Sequence, residues 1–290
     1  MKLWEKLSGS IFRLLASPYR KGFREKSLEN ILKCSLNVLD APAVESLRNY
    51  VKNCQAPNGG FMDKAGKPDL YYTLFGYFIA DALEMKEILP SVSGYVEKEI
   101  RTNQLAGVHL YCAAILAARM ERHDLTDQFL RDKIQENIKL QKDKPGYNAF
   151  LNLLTCYYLK DYRGIYQIRR QIKAFESKTA LPCSVLSALL VLQKSFRKPV
   201  DDLTEEVLSF RQGNGGFKAT KAAPIPDLLS TAVALYALNF SGYDLGAIKP
   251  TAFDFIDALY VDGGFGGNIL DPDPDIEYTF YGLLALGALA

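Results

Sequence analysis

One sequence unit occurs three times in this chain, at residues 54–76, 212–234 and 262–282. Each copy holds Gly-Gly-Phe, a spacer rich in turn-forming residues, an Asp followed by an aliphatic residue, and a Thr four positions after that Asp. An apolar run follows each Thr. A unit that recurs along a chain indicates a repeat architecture, because each unit buries its apolar side against its neighbours. This repeat therefore restricts the possible folds more than any other feature of the sequence.

Each part of the unit predicts a piece of local structure. The paired glycines allow backbone angles that bulkier residues resist, so each pair is expected to end one helix and turn the chain. The Asp stands where a helix N-cap belongs, and the apolar run after it predicts a helix buried on nearly every side. Before Gly-Gly-Phe, a more amphipathic helix is predicted at 44–54, 200–211 and 250–260. The unit is thus a polar outer helix, a glycine turn and an apolar inner helix.

The middle of the chain keeps this alternation without the glycine signature. Apolar helices are predicted at 106–119, 147–159 and 183–192, each after a charged segment. Over the whole chain, inner helices are predicted to begin near residues 70, 107, 147, 183, 228 and 276. Six such hairpins predict an all-α fold, an (α/α)6 barrel or α/α toroid whose inner helices line a lumen, with an open solenoid as the alternative. We favour the closed ring because both ends of the chain carry the strong form of the repeat.

Composition narrows the class of protein further. The chain has 290 residues, of which 48% are hydrophobic, and no long polar linker divides it, so we expect one toroid domain over residues 27–290. The net charge of +2 argues against a general nucleic-acid binder. Five widely spaced cysteines without a CxxC pair indicate reduced thiols and a cytoplasmic location. The apolar runs are shorter than the roughly 18–20 residues that span a bilayer.

The N-terminal segment, residues 1–26, stands apart from the repeats. It predicts an amphipathic helix with leucine and isoleucine on one face and many lysine and arginine residues elsewhere. One interpretation is an interfacial helix that places residues 1–24 on an anionic membrane surface or on a partner protein. The other is a helix that packs on the barrel.

Residues 54–73, CQAPNGGFMDKAGKPDLYYT, closely resemble the repeat of protein prenyltransferase β-subunits. Residues 275–289, DIEYTFYGLLALGAL, resemble the same repeat in its terminal form. The wider superfamily includes the squalene–hopene and oxidosqualene cyclases. The resemblance implies an α/α toroid, in agreement with the count of hairpins, and an aromatic lumen that holds isoprenoid chains.

The resemblance implies a chemistry whose residues are not all reproduced here. In protein prenyltransferases, zinc held by Asp, Cys and His binds the substrate cysteine thiolate that acts as nucleophile. The register of the zinc histidine holds Tyr72 in the first repeat and Tyr278 in the last, and His109 occupies it one repeat after the first. The Asp-x-Cys ligand pair falls on Asp275 and Glu277.

Two interpretations of these positions are open. One is a zinc site made of Asp275, Glu277 and His109. The other is structural: Asp275 caps its helix, Glu277 is solvated at the rim of the lumen, and His109 is a hydrogen-bonded pocket residue. We assign no metal ligand and no cofactor, with zinc and magnesium as the two metals left open. The Asp-x-Asp-Asp motif of the cyclases is absent, because residues 271–275 read Asp-Pro-Asp-Pro-Asp. This acidic segment predicts a rigid turn that leads into the helix cap, or alternatively a site for Mg²⁺-diphosphate.

The candidate site residues fall into three groups. The catalytic candidates are the acids Asp275 and Glu277, with Tyr72, Tyr278 and His109 as polar helpers. Aromatic faces stabilise carbocations and pack on polyprenyl chains, although aromatic residues are also common in cores. The aromatic candidates for the lumen wall are Tyr71, Phe75, Tyr111, Tyr147, Phe150 and Tyr281. The lysines that are candidates to hold a diphosphate, or are simply solvated loop charges, are Lys64, Lys67, Lys218 and Lys221.

Two classes of function are predicted. The first is a prenyltransferase-like or terpene-cyclase-like enzyme with non-standard catalytic residues, which binds an isoprenoid or polyprenyl diphosphate in the lumen. The alternative is a non-catalytic toroid that binds a lipid or a protein partner, at a membrane surface if the N-terminal helix docks there. No nucleic-acid partner is expected in either case.

Overall fold

The computed structural model describes residues 22–102, 104–126, 128–140, 147–172 and 181–290. A short helix, α1 (Leu28–Ser35), precedes six helical hairpins. The outer helices are α2 (Ala41–Asn53), α4 (Leu89–Thr102), α6 (Gln128–Leu140), α8 (Tyr162–Gln171), α10 (Asp201–Leu208) and α12 (Lys249–Asp257). The inner helices are α3 (Leu70–Ala82), α5 (Gly107–Arg119), α7 (Tyr147–Tyr158), α9 (Cys183–Ser195), α11 (Leu228–Ser241) and α13 (Ile276–Leu289). The predicted starts of the six inner helices are confirmed.

The inner helices form a closed ring. Each packs against the next in chain order from α3 to α13, and α13 packs against α3. The fold is therefore an α/α toroid, as predicted, rather than an open solenoid. The N-termini of the inner helices lie together at one end of the ring, here called the mouth, and their C-termini lie at the other end, here called the floor.

The three strong repeats build the same hydrogen-bonded joint at the mouth. In the first copy, the Thr73 hydroxyl donates to the Asp69 carbonyl oxygen and accepts from the Phe61 N–H at 3.0 Å. The Asp69 carboxylate accepts from the Tyr72 N–H at 2.8 Å. The same bonds recur at Phe217, Asp227 and Thr231 and at Phe265, Asp275 and Thr279. The predicted N-cap is thus confirmed in each copy, and the Thr ties the glycine turn to the start of the inner helix.

Short antiparallel strand pairs stiffen two of these turns. In the first copy, β1 (Phe61–Met62) pairs with β2 (Pro68–Asp69). In the last copy, β3 (Tyr260–Val261) pairs with β4 (Gly264–Phe265).

The glycine turns join neighbouring hairpins by backbone contact. Gly59 and Gly263 have left-handed φ angles of +94° and +90°. A Cβ atom on Gly59 would lie 2.1 Å from the carbonyl oxygen of Ser91 in α4, the outer helix of the next hairpin. A Cβ atom on Gly263 would lie 2.4 Å from the carbonyl oxygen of Ser46 in α2, the outer helix of the first hairpin. The last repeat therefore closes the ring with the contact that also joins consecutive hairpins.

The floor of the ring is covered by α1 and the residues just before it. Helix α1 packs against α13 and α3. The ring of Phe23 packs against those of Tyr157 and Phe240, with centroids 5.3 Å apart in both cases. The Tyr236 hydroxyl donates to the carbonyl oxygen of Lys26 at 2.9 Å. These contacts place α1 across the C-terminal ends of the inner helices.

A part-buried charge network fastens α1 to the floor. The Glu29 carboxylate of α1 accepts from the Arg119 guanidinium at 3.3 Å and from the Tyr158 hydroxyl at 2.7 Å. Arg119 also donates to Asp81 at 2.9 Å. The network therefore connects α1 with three inner helices, α3, α5 and α7.

The basic helix predicted over residues 1–26 falls mostly on residues 1–21, which lie outside the described residues, so its role stays a prediction. Within the part of the chain that the structure describes, no helix combines the length and the apolar character needed to cross a bilayer. All five cysteines are free thiols, and Cys112, Cys156 and Cys183 are buried.

Candidate functional site

The lumen wall follows one register on several inner helices. On α3 the lining residues are Tyr71, Leu74, Phe75 and Phe78, which lie two, five, six and nine positions after the N-cap Asp69. The same positions line the lumen on α5 and α9, at residues 108, 111, 112 and 115 and at residues 184, 187, 188 and 191. This spacing is that of one face of an α-helix.

The lumen contains a partly open cavity of about 110 Å³ whose wall is almost wholly apolar. Its α3 and α13 sides are aromatic: the ring of Phe75 lies 4.9 Å from that of Phe280 and 5.6 Å from that of Tyr281, between centroids. Leu28 of α1 also contributes to the wall. The cavity thus extends from the mouth towards α1 between aromatic and aliphatic side chains.

Most of the aromatic candidates lie in this wall. They are Tyr71, Phe75, Tyr111, Phe150 and Tyr281. The side chain of Tyr147 lies outside the described residues. Sequence reasoning missed Phe78 and Tyr236, together with Ser184 and Ser187. The spacing from each N-cap could have identified Phe78 and Tyr236, which both lie nine residues after their N-cap Asp.

Glu277 is the acid at the rim of the cavity. It lies two positions after the N-cap Asp275, as Tyr71 does after Asp69. The Tyr71 hydroxyl, whose ring lines the cavity, donates to Glu277 Oε1 at 2.6 Å across the joint between α3 and α13. Burial raises the pKa of the half-buried Glu277, whereas hydrogen bonds from Tyr71 and Tyr72 act in the opposite direction. The ring closure thus brings Glu277, Tyr71 and Tyr72 together.

Asp275 has a structural task. Its carboxylate accepts from the Tyr278 N–H at 2.7 Å, as the N-cap of α13, and it is 6% exposed. Burial raises the pKa of Asp275. Burial, followed by the charges of Glu277 and Asp275, raises the pKa of Tyr278 to about 12. Because Asp69 and Asp227 cap their helices in the same way, this geometry does not distinguish Asp275 as a catalyst.

His109 lies on another part of the rim. Its Nε2 atom is 3.6 Å from Asp69 Oδ2, and the imidazole is about half exposed. Across the described ranges, no group of three His, Cys, Asp or Glu side chains is arranged to hold a metal ion. The set of Asp275, Glu277 and His109 considered above as a zinc site is therefore not assembled, because His109 is paired with the cap of α3 and Glu277 with the tyrosines.

The fold is that of a known domain family. A family model for the prenyltransferase alpha-alpha toroid domain matches residues 9–109 and 155–290, which is most of the chain. This chain belongs to that family. No curated protein is similar enough to be matched to it.

In this prenyltransferase-type toroid, the candidate lysines lie in loops, and two of the four form ion pairs with acidic side chains. Lys64 forms an ion pair with Asp271 at 2.7 Å, between the spacers of the first and last repeats. Lys221 lies 3.5 Å from Glu206 on the outer helix α10. Lys67 is exposed and Lys218 is half-buried. At the mouth of this toroid, Glu277 and the capping acids therefore lie at the starts of the inner helices, while two of the candidate lysines are already paired.

Proposed function

We propose that this toroid binds an isoprenoid in its lumen, with the hydrocarbon between the aromatic helices α3 and α13 and the polar end at the mouth. The observation that carries the proposal is the apolar cavity in the lumen, whose wall is built by a regular stripe of aromatic and aliphatic residues. Apolar cavities stay dry and bind apolar molecules. Membership in the toroid family supports the same class of ligand.

The volume of the cavity limits the length of the isoprenoid chain that fits without a change of rotamers. An apolar cavity of about 150 Å³ holds one benzene molecule, and the cavity here has about 110 Å³. It accepts roughly one isoprene unit as it stands. A longer chain requires the aromatic side chains to change rotamer, and Tyr71 is placed to do so because it lies at the half-buried rim.

The charges at the mouth favour an uncharged end group over a free diphosphate. Glu277 and Asp275 lie at the start of α13, and Lys64 is paired with Asp271. Among the described residues of the mouth, a diphosphate would lie beside these carboxylates, and two of the four candidate lysines, Lys64 and Lys221, are already paired with acids.

Glu277 is the group we assign to proton transfer. Asp275 is committed to its helix cap, whereas Glu277 faces the tyrosines at the cavity rim. Because burial raises its pKa, Glu277 keeps its proton to higher pH than an exposed glutamate does. Transfer of that proton to a double bond breaks the carboxyl O–H bond, forms a C–H bond and leaves a carbocation, which the faces of Tyr71, Phe75 and Tyr281 would stabilise. Deuterium incorporation into a bound polyene in D₂O is the readout for this step.

A pair of valines provides the test of binding. Val108 is 38% exposed and lines the cavity at the mouth, whereas Val38 is 40% exposed and lies between α1 and α2, outside the lumen wall. We expect Val108→Trp to obstruct the mouth and to weaken farnesol binding by about tenfold or more, and Val38→Trp to leave it unchanged. The measurement is competition against fluorescently labelled farnesol, repeated with farnesyl diphosphate with and without Mg²⁺ or Zn²⁺.

Each outcome of this experiment has a meaning. Loss of farnesol binding in the Val108 variant alone supports the lumen as the site. Equal effects of both variants, or no binding of either compound to the unmodified protein, would overturn the proposal. Stronger binding of the diphosphate with a metal would overturn the preference for an uncharged end group.

A further inference from the structure

The lumen wall differs from one side to the other. The α3 and α13 side presents the rings of Phe75, Phe280 and Tyr281. The α9 side, opposite α3 in the ring, presents two hydroxyl residues, Ser184 and Ser187. Oxygen atoms in a wall that is otherwise almost wholly apolar need an explanation, since a buried hydroxyl costs free energy unless it is hydrogen-bonded.

Ser187 lacks a strong hydrogen-bond partner. It is 2% exposed, and its Oγ has no nitrogen or oxygen partner among the described residues. Its polar neighbour is the thiol of Cys183, one turn earlier. Burial raises the pKa of the Cys183 thiol to about 12, so the thiol stays neutral. The thiol itself donates to the carbonyl oxygen of Ser230, at a distance of 3.9 Å from the sulfur. A neutral thiol is a weak acceptor, so the hydroxyl of Ser187 is poorly satisfied.

Two other buried serines, Ser195 and Ser241, donate their hydroxyl to a backbone carbonyl oxygen. Ser195, two turns further along α9, donates to the carbonyl oxygen of Val191 at 2.6 Å. Ser241 donates to the carbonyl oxygen of Leu238 at 2.8 Å. Neither of these serines lines the cavity, whereas Ser187 does. The unsatisfied hydroxyl therefore coincides with the lumen.

Ser187 lines the cavity, and binding through its hydroxyl requires a rotation about χ1 that turns the oxygen from the Cys183 thiol towards the lumen. Such a change between staggered rotamers needs no movement of the backbone. Ser187 lies four residues after the start of α9, about 6 Å below the rim at 1.5 Å per residue. An oxygen at this depth is near the mouth, with the rest of the cavity below it towards α1.

We infer that the ligand of this lumen is an uncharged oxygenated isoprenoid, an alcohol or a ketone, and that Ser187 binds its oxygen. This inference rests on the proposed function, because it names the end group of the chain that the lumen holds. Ser187 donates to a carbonyl or hydroxyl oxygen and also accepts from a hydroxyl. The hydrocarbon part of the ligand then lies beneath it, against Phe75, Phe78 and Phe280.

The test compares an alcohol with a hydrocarbon of the same chain. Binding of farnesol and of farnesene is measured by competition against fluorescently labelled farnesol, with the unmodified protein, Ser187→Ala and Ser195→Ala. We expect Ser187→Ala to weaken farnesol roughly two- to tenfold, the usual effect of one neutral hydrogen bond, and to leave farnesene unchanged. Ser195→Ala, which removes a serine of the same helix outside the wall, should change neither. Ser187→Cys, with a weaker donor of similar shape, should fall between.

The outcomes separate this inference from the proposed function. If Ser187→Ala weakens both compounds equally or neither, Ser187 serves packing or holds an internal water, and the inference is wrong while lumen binding stands. If the unmodified protein binds farnesene at least as tightly as farnesol, the inference is also wrong. If neither compound binds, or if Val108→Trp has no effect on binding, the proposed function itself is wrong.

Discussion

The mouth and the floor of this toroid are built by different means. At the mouth, one joint is used three times: a glycine turn against the neighbouring outer helix, a capping Asp, and a Thr that ties the two. At the floor, the contacts are made once, by side chains of α1 and of the residues before it. The mouth depends on a joint between side chains and backbone that recurs in each copy, and the floor on side-chain contacts that occur once.

This difference separates two tasks of the chain. The repeated joint closes the ring, and other side chains make the hairpins differ from one another. The joint works in every copy because it needs only glycine, Asp and Thr at fixed positions. Nothing in that joint restricts what the inner helices present to the lumen. The character of the lumen wall comes from side chains that vary between copies. The floor comes from α1, which has no counterpart in the repeats.

Breaking a joint at the mouth should have the largest effect. Gly263→Val would place a Cβ 2.4 Å from the Ser46 carbonyl oxygen at a φ of +90°. We expect it to lower the free energy of unfolding by about 3 kcal/mol or more, because strain and a backbone clash add. Urea denaturation followed by circular dichroism measures this change. Gly66→Val is the control, since Gly66 has a φ of +77° but no atom within 4 Å of its Cβ position. Equal losses in the two variants would show that ring closure does not depend on the contact with Ser46.

Removing a charge at the floor should have an intermediate effect. Glu29→Gln leaves the part-buried Arg119 with Asp81 as its remaining acidic partner. We expect a loss of roughly 1–3 kcal/mol in the free energy of unfolding, below that for breaking a fully buried pair, because Asp81 still balances the guanidinium. Glu45→Gln, on the exposed side of α2, is the control for urea denaturation. The same stability for both variants would mean that the network does not fasten α1.

The smallest expected effect concerns the dependence of stability on pH at the mouth. Burial raises the pKa of Glu277 above its ordinary value of 4.5, so the folded state binds this proton more tightly than the unfolded state. The stability that this proton contributes is fully present below pH 4.5 and is lost as the pH rises through the raised pKa. Glu277→Gln has no such proton, so the stability of the variant relative to the unmodified protein should increase with pH in that window.

Urea denaturation at a series of pH values measures this slope, and Glu45→Gln should follow the unmodified protein in parallel. A relative stability of the Glu277 variant that stays constant or falls with pH would contradict the assignment of Glu277 as the buried acid of the rim.

Many of the helix boundaries could be predicted from the sequence because they depend on residues that are close together along the chain. The N-caps at Asp69, Asp227 and Asp275 and the starts of the inner helices follow from residues within a few positions of each other. The candidate site was predictable only in part. The pairing of His109 with Asp69, rather than with Glu277, joins helices whose relative positions the sequence does not state.

The sequence by itself determined the repeat, the all-α hairpins and the place of the capping acids, because helix caps, glycine turns and helical periodicity act over short distances along the chain. The tertiary structure decided which side chains meet. Tyr71 and Glu277 are 206 residues apart, and only the closure of α13 against α3 brings them to 2.6 Å. The structure likewise decided that α1 covers the floor and that Ser187 belongs to the lumen wall, since both depend on how distant helices pack.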